Sequence, residues 1–185
     1  MIRWWPSIGL AAMLLLGWAV GASSTGLDDW FQSLGHTPVR PLNKLADPRL
    51  LIIVLAGLLL VGAWQRRWRL VAMTALAPLI GLAFVRVLKP IFGRDKSGGL
   101  AYPSGHITTM TIVLGLVVLV AGAAWWMVTV ALVVLALAAV GVGSTFHYFT
   151  DTVGGLLLGS AIVSAAALVA RRDLTRNARP RSFPG

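Results

Sequence analysis

From Ile107 to Phe146 the chain passes through a long apolar run without a single charged residue. A bilayer span needs roughly 20 predominantly apolar residues in a helix. The run is too long for one span and right for two, with a turn at Ala121-Gly122-Ala123-Ala124-Trp125-Trp126, whose tryptophans suit a membrane–water interface. Nothing in the run alternates with the period of two that a strand requires. It therefore predicts two consecutive transmembrane helices, over about 105–122 and 125–143.

The rest of the chain repeats the pattern. Apolar blocks over 4–22, 50–64, 70–88 and 150–170 predict four more spans, the third interrupted only by Arg86. The whole chain, 1–185, reads as a single all-α integral membrane domain, a bundle of six transmembrane helices. With 57% hydrophobic residues, 12% charged residues and a mean hydropathy of +0.82, the composition excludes an ordinary soluble domain. The first block follows Arg3 and ends in Val20-Gly21-Ala22, so it also has the form of a cleavable signal peptide; its length and tryptophans favour a retained helix. Between the first two blocks, 26–49 is polar and holds Pro38, Pro41 and Pro48. Leu27, Trp30, Phe31 and Leu34 follow helical spacing there, behind Asp28 and Asp29, as in a short helix lying on a membrane surface.

The net charge of +10 does not point to nucleic acid, because the cations sit at the ends of apolar blocks. Six spans put Arg3, the Arg66/Arg67/Arg69 cluster and the basic tail 171–185 on one side, which the positive-inside rule makes the cytoplasm. That leaves 26–49, Lys89 to Pro103 and Gly143 to Asp151 outside. The chain has no cysteine and no glutamate, so acid–base chemistry falls to six aspartates and three histidines.

Ionisable groups at membrane-embedded segments are costly and are functional suspects. They fall at three places, all predicted to lie at the outer ends of spans. Arg86, Lys89, Arg94 and Lys96 face one aspartate, Asp95, a concentration that attracts an anion, whether a phosphate ligand or lipid headgroups. Tyr102-Pro103-Ser104-Gly105-His106 precedes an apolar run: Ser104 is a good helix cap, the free N–H groups of a helix start favour an anion, and Gly105 admits close approach. His147 and Asp151, at i and i+4, are predicted to share one helix face. A carboxylate on one imidazole nitrogen fixes the tautomer and frees the other nitrogen to attack. The same pair also fits a helix-stabilising contact or two metal ligands, but the cationic surroundings and the presence of only two histidines on this face favour a metal-free site.

Taken together, these residues resemble the type 2 phosphatidic acid phosphatase (PAP2) family, over roughly Leu70 to Ala170. The family's first motif is a lysine followed seven residues later by arginine and proline, often with an arginine between. Here Lys89 and the intermediate Arg94 match, while Lys96 and Ser97 replace the final arginine and proline. The second motif, Pro-Ser-Gly-His, is intact as Pro103 to His106. Of the third motif, Ser-Arg, five residues, His, three residues, Asp, the chain keeps His147 and Asp151; Val140 and Gly141 stand where the Ser-Arg pair belongs. Arg86, or the Ser144 and Thr145 hydroxyls, are the candidates to replace the missing phosphate-binding arginine.

The resemblance implies a membrane phosphatase with no metal or organic cofactor. His147 is the nucleophile, Asp151 orients it, and His106 is the proton donor. Lys89, Arg94, Lys96, Ser104 and Gly105 bind phosphate. The expected substrate is a lipid phosphate monoester or diphosphate, with the site facing the extracytoplasmic side of the cell (inner) membrane; no protein partner is implied. Arginine far outnumbers lysine and Ala, Val, Leu and Gly dominate, as in GC-rich bacteria, where polyprenyl phosphates or diphosphates, polyprenyl phosphosugars and phosphatidyl lipids are the candidates. Two alternatives stand beside it: a phosphotransferase to a lipid or sugar hydroxyl, and a non-catalytic binder of lipid phosphates.

Overall fold

The computed structural model describes residues 3–171. Those residues form seven α-helices: α1 (Trp5–Val20), α2 (Gly26–Ser33), α3 (Pro48–Trp64), α4 (Trp68–Phe92), α5 (Gly105–Val120), α6 (Trp125–Gly143) and α7 (Phe149–Val169). Two 3-10 segments, Leu34–His36 and Arg40–Ala46, bridge α2 to α3. Two-residue strands, β1 (Asp95–Lys96) and β2 (Gly99–Leu100), pair antiparallel in the turn between α4 and α5. Most of the expected basic tail, with Arg172, Arg176, Arg179 and Arg181, lies outside the described residues.

Each expected span coincides with a helix. By length and composition four stretches can cross a membrane: Arg40–Trp64, Trp68–Phe92, Trp125–Gly143 and Phe149–Val169. Helices α1 and α5 are equally apolar but have 16 residues each, which at 1.5 Å per residue gives about 24 Å against a hydrocarbon core of about 30 Å. Large apolar side chains are exposed along the outer faces, among them Ile53, Leu60, Leu79 and Leu132, with Trp64, Trp68 and Trp125 exposed at helix ends. That distribution fits a multi-pass protein bathed in lipid, with aromatic residues at an interface.

Two boundaries differ from expectation. Helix α4 does not stop at Leu88 but continues through Lys89 and Pro90 to Phe92, closing on Gly93 in the left-handed region (φ 60°). A proline removes only the hydrogen bond to the carbonyl four residues back, so the last turn survives and a C-terminal glycine ends it. Helix α7 begins at Phe149, so His147 is not on its face but in the turn before it. Asp151 instead sits in the first turn and its Oδ2 accepts from the backbone N–H of Tyr148 at 2.9 Å, satisfying a donor that a helix start leaves unpaired.

Helix α7 is central, packed on α1 and α5. Its contact with α5 has almost no side-chain spacer. A Cβ at Gly155 would lie 2.7 Å from the Ser104 carbonyl oxygen, and one at Gly159 would lie 2.6 Å from Thr111 Cβ. Small residues four apart let helix backbones approach where hydrocarbon solvent offers no hydrophobic drive. At the top of this seam the Ser104 N–H donates to the Asp151 carbonyl at 3.0 Å. At the far end Arg67, 3% exposed, donates to the carbonyls of Val120 and Leu119, closing the C-terminus of α5.

The seam predicts that Gly159→Ala lowers stability by about 1–3 kcal/mol, the cost of overpacking a tight contact. Gly57→Ala, where a Cβ meets nothing within 4 Å, should be neutral or stabilising by about 0.5–1 kcal/mol. Thermal midpoints of the two variants in detergent check this; equal midpoints would refute the seam.

Candidate active site

The end of the bundle opposite Arg67 holds a buried ionic cluster built around Arg94. This side chain is fully buried. Its Nη1 donates to Asp151 Oδ1 at 2.9 Å and Thr150 Oγ1 at 2.6 Å; its Nη2 donates to Asp28 Oδ2 at 2.7 Å and to the Ser23 carbonyl at 2.8 Å. Burying a charge costs several kcal/mol unless paired and hydrogen-bonded, and here one guanidinium meets two carboxylates that are also fully buried. The Tyr148 ring covers the guanidinium at 4.5 Å from its centroid. Both terminal nitrogens of Arg94 are thus engaged by protein acceptors, whereas the sequence reading directs this cation to phosphate.

The other half of Asp151 faces the histidine. Its Oδ2 lies 3.7 Å from His147 Nδ1, beyond hydrogen-bond length but close enough for the two charges to interact. His147 Nδ1 is buried with no hydrogen-bond partner. The His147 carbonyl accepts from Lys96 Nζ at 2.7 Å and from Gln32 Nε2 at 3.0 Å. His106, in the first turn of α5, has its ring centroid 5.8 Å from that of His147. The two imidazoles, far apart in the chain, therefore face one space.

That space is a cavity of about 440 Å³. Lys89, Gly105, His106 and His147 line it, as do Leu51, Ile52 and Leu55 of α3 and Pro78, Leu79 and Leu82 of α4. Lys89 Nζ also donates to the Leu100 carbonyl. Ser104 caps α5, accepting from the Ile107 N–H at 3.5 Å, and is fully buried without lining the cavity. The cavity thus has a cationic, imidazole-lined end and an aliphatic flank. Among the described residues no group of three His or Asp side chains converges as a metal-ligand set.

The candidates to replace the third-motif arginine do not reach this cavity. Arg86 is exposed, and Ser144 and Thr145 donate their hydroxyls back to the Gly141 carbonyl at 3.1 and 2.7 Å. Gly141, where the expected motif would put an arginine, has no room for a side chain. A Cβ at Gly141 would fall 2.4 Å from the Asn43 nitrogen and 2.5 Å from the Leu42 carbonyl carbon, so the 3-10 segment Arg40–Ala46 occupies the space a side chain needs there.

Asp28 is the site residue that sequence reasoning missed. It accepts from the Thr25 N–H and hydroxyl and from the Thr150 N–H and hydroxyl, as well as from Arg94. Burial alone would raise its pKa; the hydrogen bonds from Thr150 and Thr25 and the Arg94 contact outweigh that and hold it below the usual carboxylate value. Its neighbour Asp29 is exposed, and only helical phase distinguishes the two. Compared with known proteins, the chain matches no family model, no curated protein and no solved structure.

Lys96 is half-buried, and burial presses its pKa down to about 8, against the pull of Asp151 and Asp28 and with Arg94 adding to the depression. Between about 8 and the ordinary 10.5 the unfolded chain holds a proton that the folded chain has released, so stability rises with pH across that window. The thermal midpoint of the wild type, relative to Lys96→Met, should therefore climb from about pH 8 to about pH 10. A difference that stays flat across the window would contradict it.

Proposed function

We propose that this chain is a lipid-phosphate phosphatase of the PAP2 type that works through a phosphohistidine on His147. The observation that carries the reading is the shared cavity. It joins two imidazoles and a lysine to an aliphatic groove between α3 and α4. A water-soluble phosphate ester has no use for such a flank. A membrane lipid uses both ends: its phosphate meets Lys89, His106 and His147, and its chain lies along Leu51, Leu55, Leu79 and Leu82. The Pro-Ser-Gly-His turn and the His147/Asp151 pair add the motif resemblance.

The chemistry proceeds in two displacements. His147 Nε2 attacks phosphorus, a P–N bond forms, and the P–O bond to the lipid breaks. His106 gives its proton to the departing oxygen. Asp151, beside Nδ1, supports the positive charge that the imidazole acquires. His106 then takes a proton from water, the hydroxide attacks phosphorus, and the P–N bond breaks to release phosphate. Lys89 and the unpaired N–H groups at the start of α5 stabilise the charge of the five-coordinate state, usually the largest catalytic contribution. Lys96 acts from behind, fixing the carbonyl of His147. In this reading Arg94 organises the site rather than binding phosphate.

The six long helices all cross the membrane in this proposal, with α1 and α5 accommodated by local thinning or snorkelling of flanking residues. Arg66, Arg69 and Arg171 mark the cytoplasmic end. The cavity then opens toward the extracytoplasmic leaflet of the cell membrane.

His147→Gln should lose at least about 10³-fold in turnover, as removal of a covalent nucleophile does, while keeping a wild-type elution profile in detergent. Radiolabelled phosphate from a lipid phosphate should be trapped on wild type and not on the variant. Phosphate release by His147→Gln at near wild-type rates would refute the nucleophile. Binding of lipid phosphates by wild type with no release would identify a non-catalytic binder, and transfer to an added alcohol in preference to water a phosphotransferase.

A further inference from the structure

We infer that Asp28, on helix α2, is a positioning residue for the attack by His147; the inference rests on the phosphatase reading above. His147 lies in the turn between α6 and α7, outside both helices, so its placement depends on what backs that turn. Helix α2 grips the turn and the helix ends that flank it through three side chains. Gln32 Nε2 donates to the carbonyls of Gly143 (2.7 Å) and His147 (3.0 Å). The Phe31 ring stacks on Phe149, 3.7 Å between centroids and 1° from parallel. Asp28 Oδ1 accepts from the Thr150 N–H at 2.9 Å.

Of these contacts, Asp28 alone also acts on charge. The buried cluster contains Arg94, Asp28 and Asp151, one cation between two anions. With Asp28 present, Arg94 divides its two terminal nitrogens between the carboxylates, and Asp151 keeps Oδ2 turned to His147. Without that charge, the cation belongs to Asp151 alone, Nη2 and the Thr150 N–H lose their charged acceptor, and only the Tyr148 N–H, at 2.9 Å from Oδ2, still opposes the pull of Arg94 on the Asp151 carboxylate. The charged and titratable groups around His147 on other elements are Lys89 on α4, Lys96 on β1 and His106 on α5. Lys89 donates to the Leu100 carbonyl and Lys96 to those of Thr145 and His147, and neither cation can stand in for the carboxylate that Arg94 needs.

The test is rapid-quench measurement of phosphoenzyme formation, using whichever of phosphatidic acid, phosphatidylglycerol phosphate or a polyprenyl phosphate the detergent-solubilised wild type turns over fastest. Asp28→Asn should slow the burst by about tenfold or more, as misplacement of a reacting group does. Its KM should stay within about threefold and its burst amplitude per mole of protein should be retained, because substrate binding is left intact. Asp28→Glu should recover part of the rate, and exposed Asp29→Asn should match wild type. A burst rate unchanged in Asp28→Asn, or a loss confined to amplitude, as misfolding would give, overturns the inference. If Asp28→Asn does not fold, Gln32→Ala decides: it removes the bond to the His147 carbonyl, and an unchanged burst rate overturns the strap role of α2. A wild type that releases phosphate from none of the lipids sinks the phosphatase reading itself, whereas an active wild type with an indifferent Asp28→Asn sinks only the role of Asp28.

Discussion

The pairing of Arg94 with two buried carboxylates is the interaction on which the site depends. It joins three segments that the chain order keeps apart: Asp28 on α2, Arg94 after α4, and Asp151 at the start of α7. Removing one partner from a buried pair leaves an uncompensated charge and costs about 3–5 kcal/mol. Loss of Arg94 would leave two such charges, whereas loss of either aspartate leaves Arg94 paired with the other. Geometry follows from this: Arg94 takes Oδ1 of Asp151, which leaves Oδ2 for the Tyr148 N–H and the flank of His147. A charge network that stabilises the fold is thus also the scaffold behind the proposed nucleophile.

Helix packing brings the second imidazole into range. The Gly155/Gly159 seam draws α7 against α5 until the backbones of Ser104 and Asp151 are hydrogen-bonded. His106, two residues after Ser104, is carried by that contact to a ring separation of 5.8 Å from His147. Because hydrocarbon gives helices little reason to associate, such close backbone approach and interhelical hydrogen bonds must do so. The same solvent leaves the aliphatic flanks of α3 and α4 free to form the wall of the cavity.

Much of this is legible in the sequence. Long apolar runs without charge and without alternation read as helices apolar enough to cross a membrane, so the helices and their order follow from the pattern of blocks. His106, His147, Asp151 and Lys89 stand out because ionisable groups near hydrocarbon are expensive. What could not be read depends on partner choice and on phase. A guanidinium such as that of Arg94 pairs equally well with phosphate or carboxylate, and nothing local in its sequence decides between them. Asp28 and Asp29 are adjacent and chemically identical, and only the docking of α2 sends one inward. Lys89-Pro90 looks like a stop signal, yet the helix runs on because its final turn tolerates a missing N–H. Likewise the need for a glycine at position 141 is visible only once Leu42 and Asn43 are seen against α6.

The central claim is that His106 and His147 serve one phosphoryl group. A structure of the protein with vanadate, a mimic of five-coordinate phosphorus, tests it most directly. The account predicts vanadium bonded to His147 Nε2, with His106 and Lys89 in hydrogen-bond contact with its oxygens and Arg94 still paired with Asp28 and Asp151. Vanadate bound away from His147, or held by Arg94 with the two imidazoles turned to separate oxyanions, would contradict it.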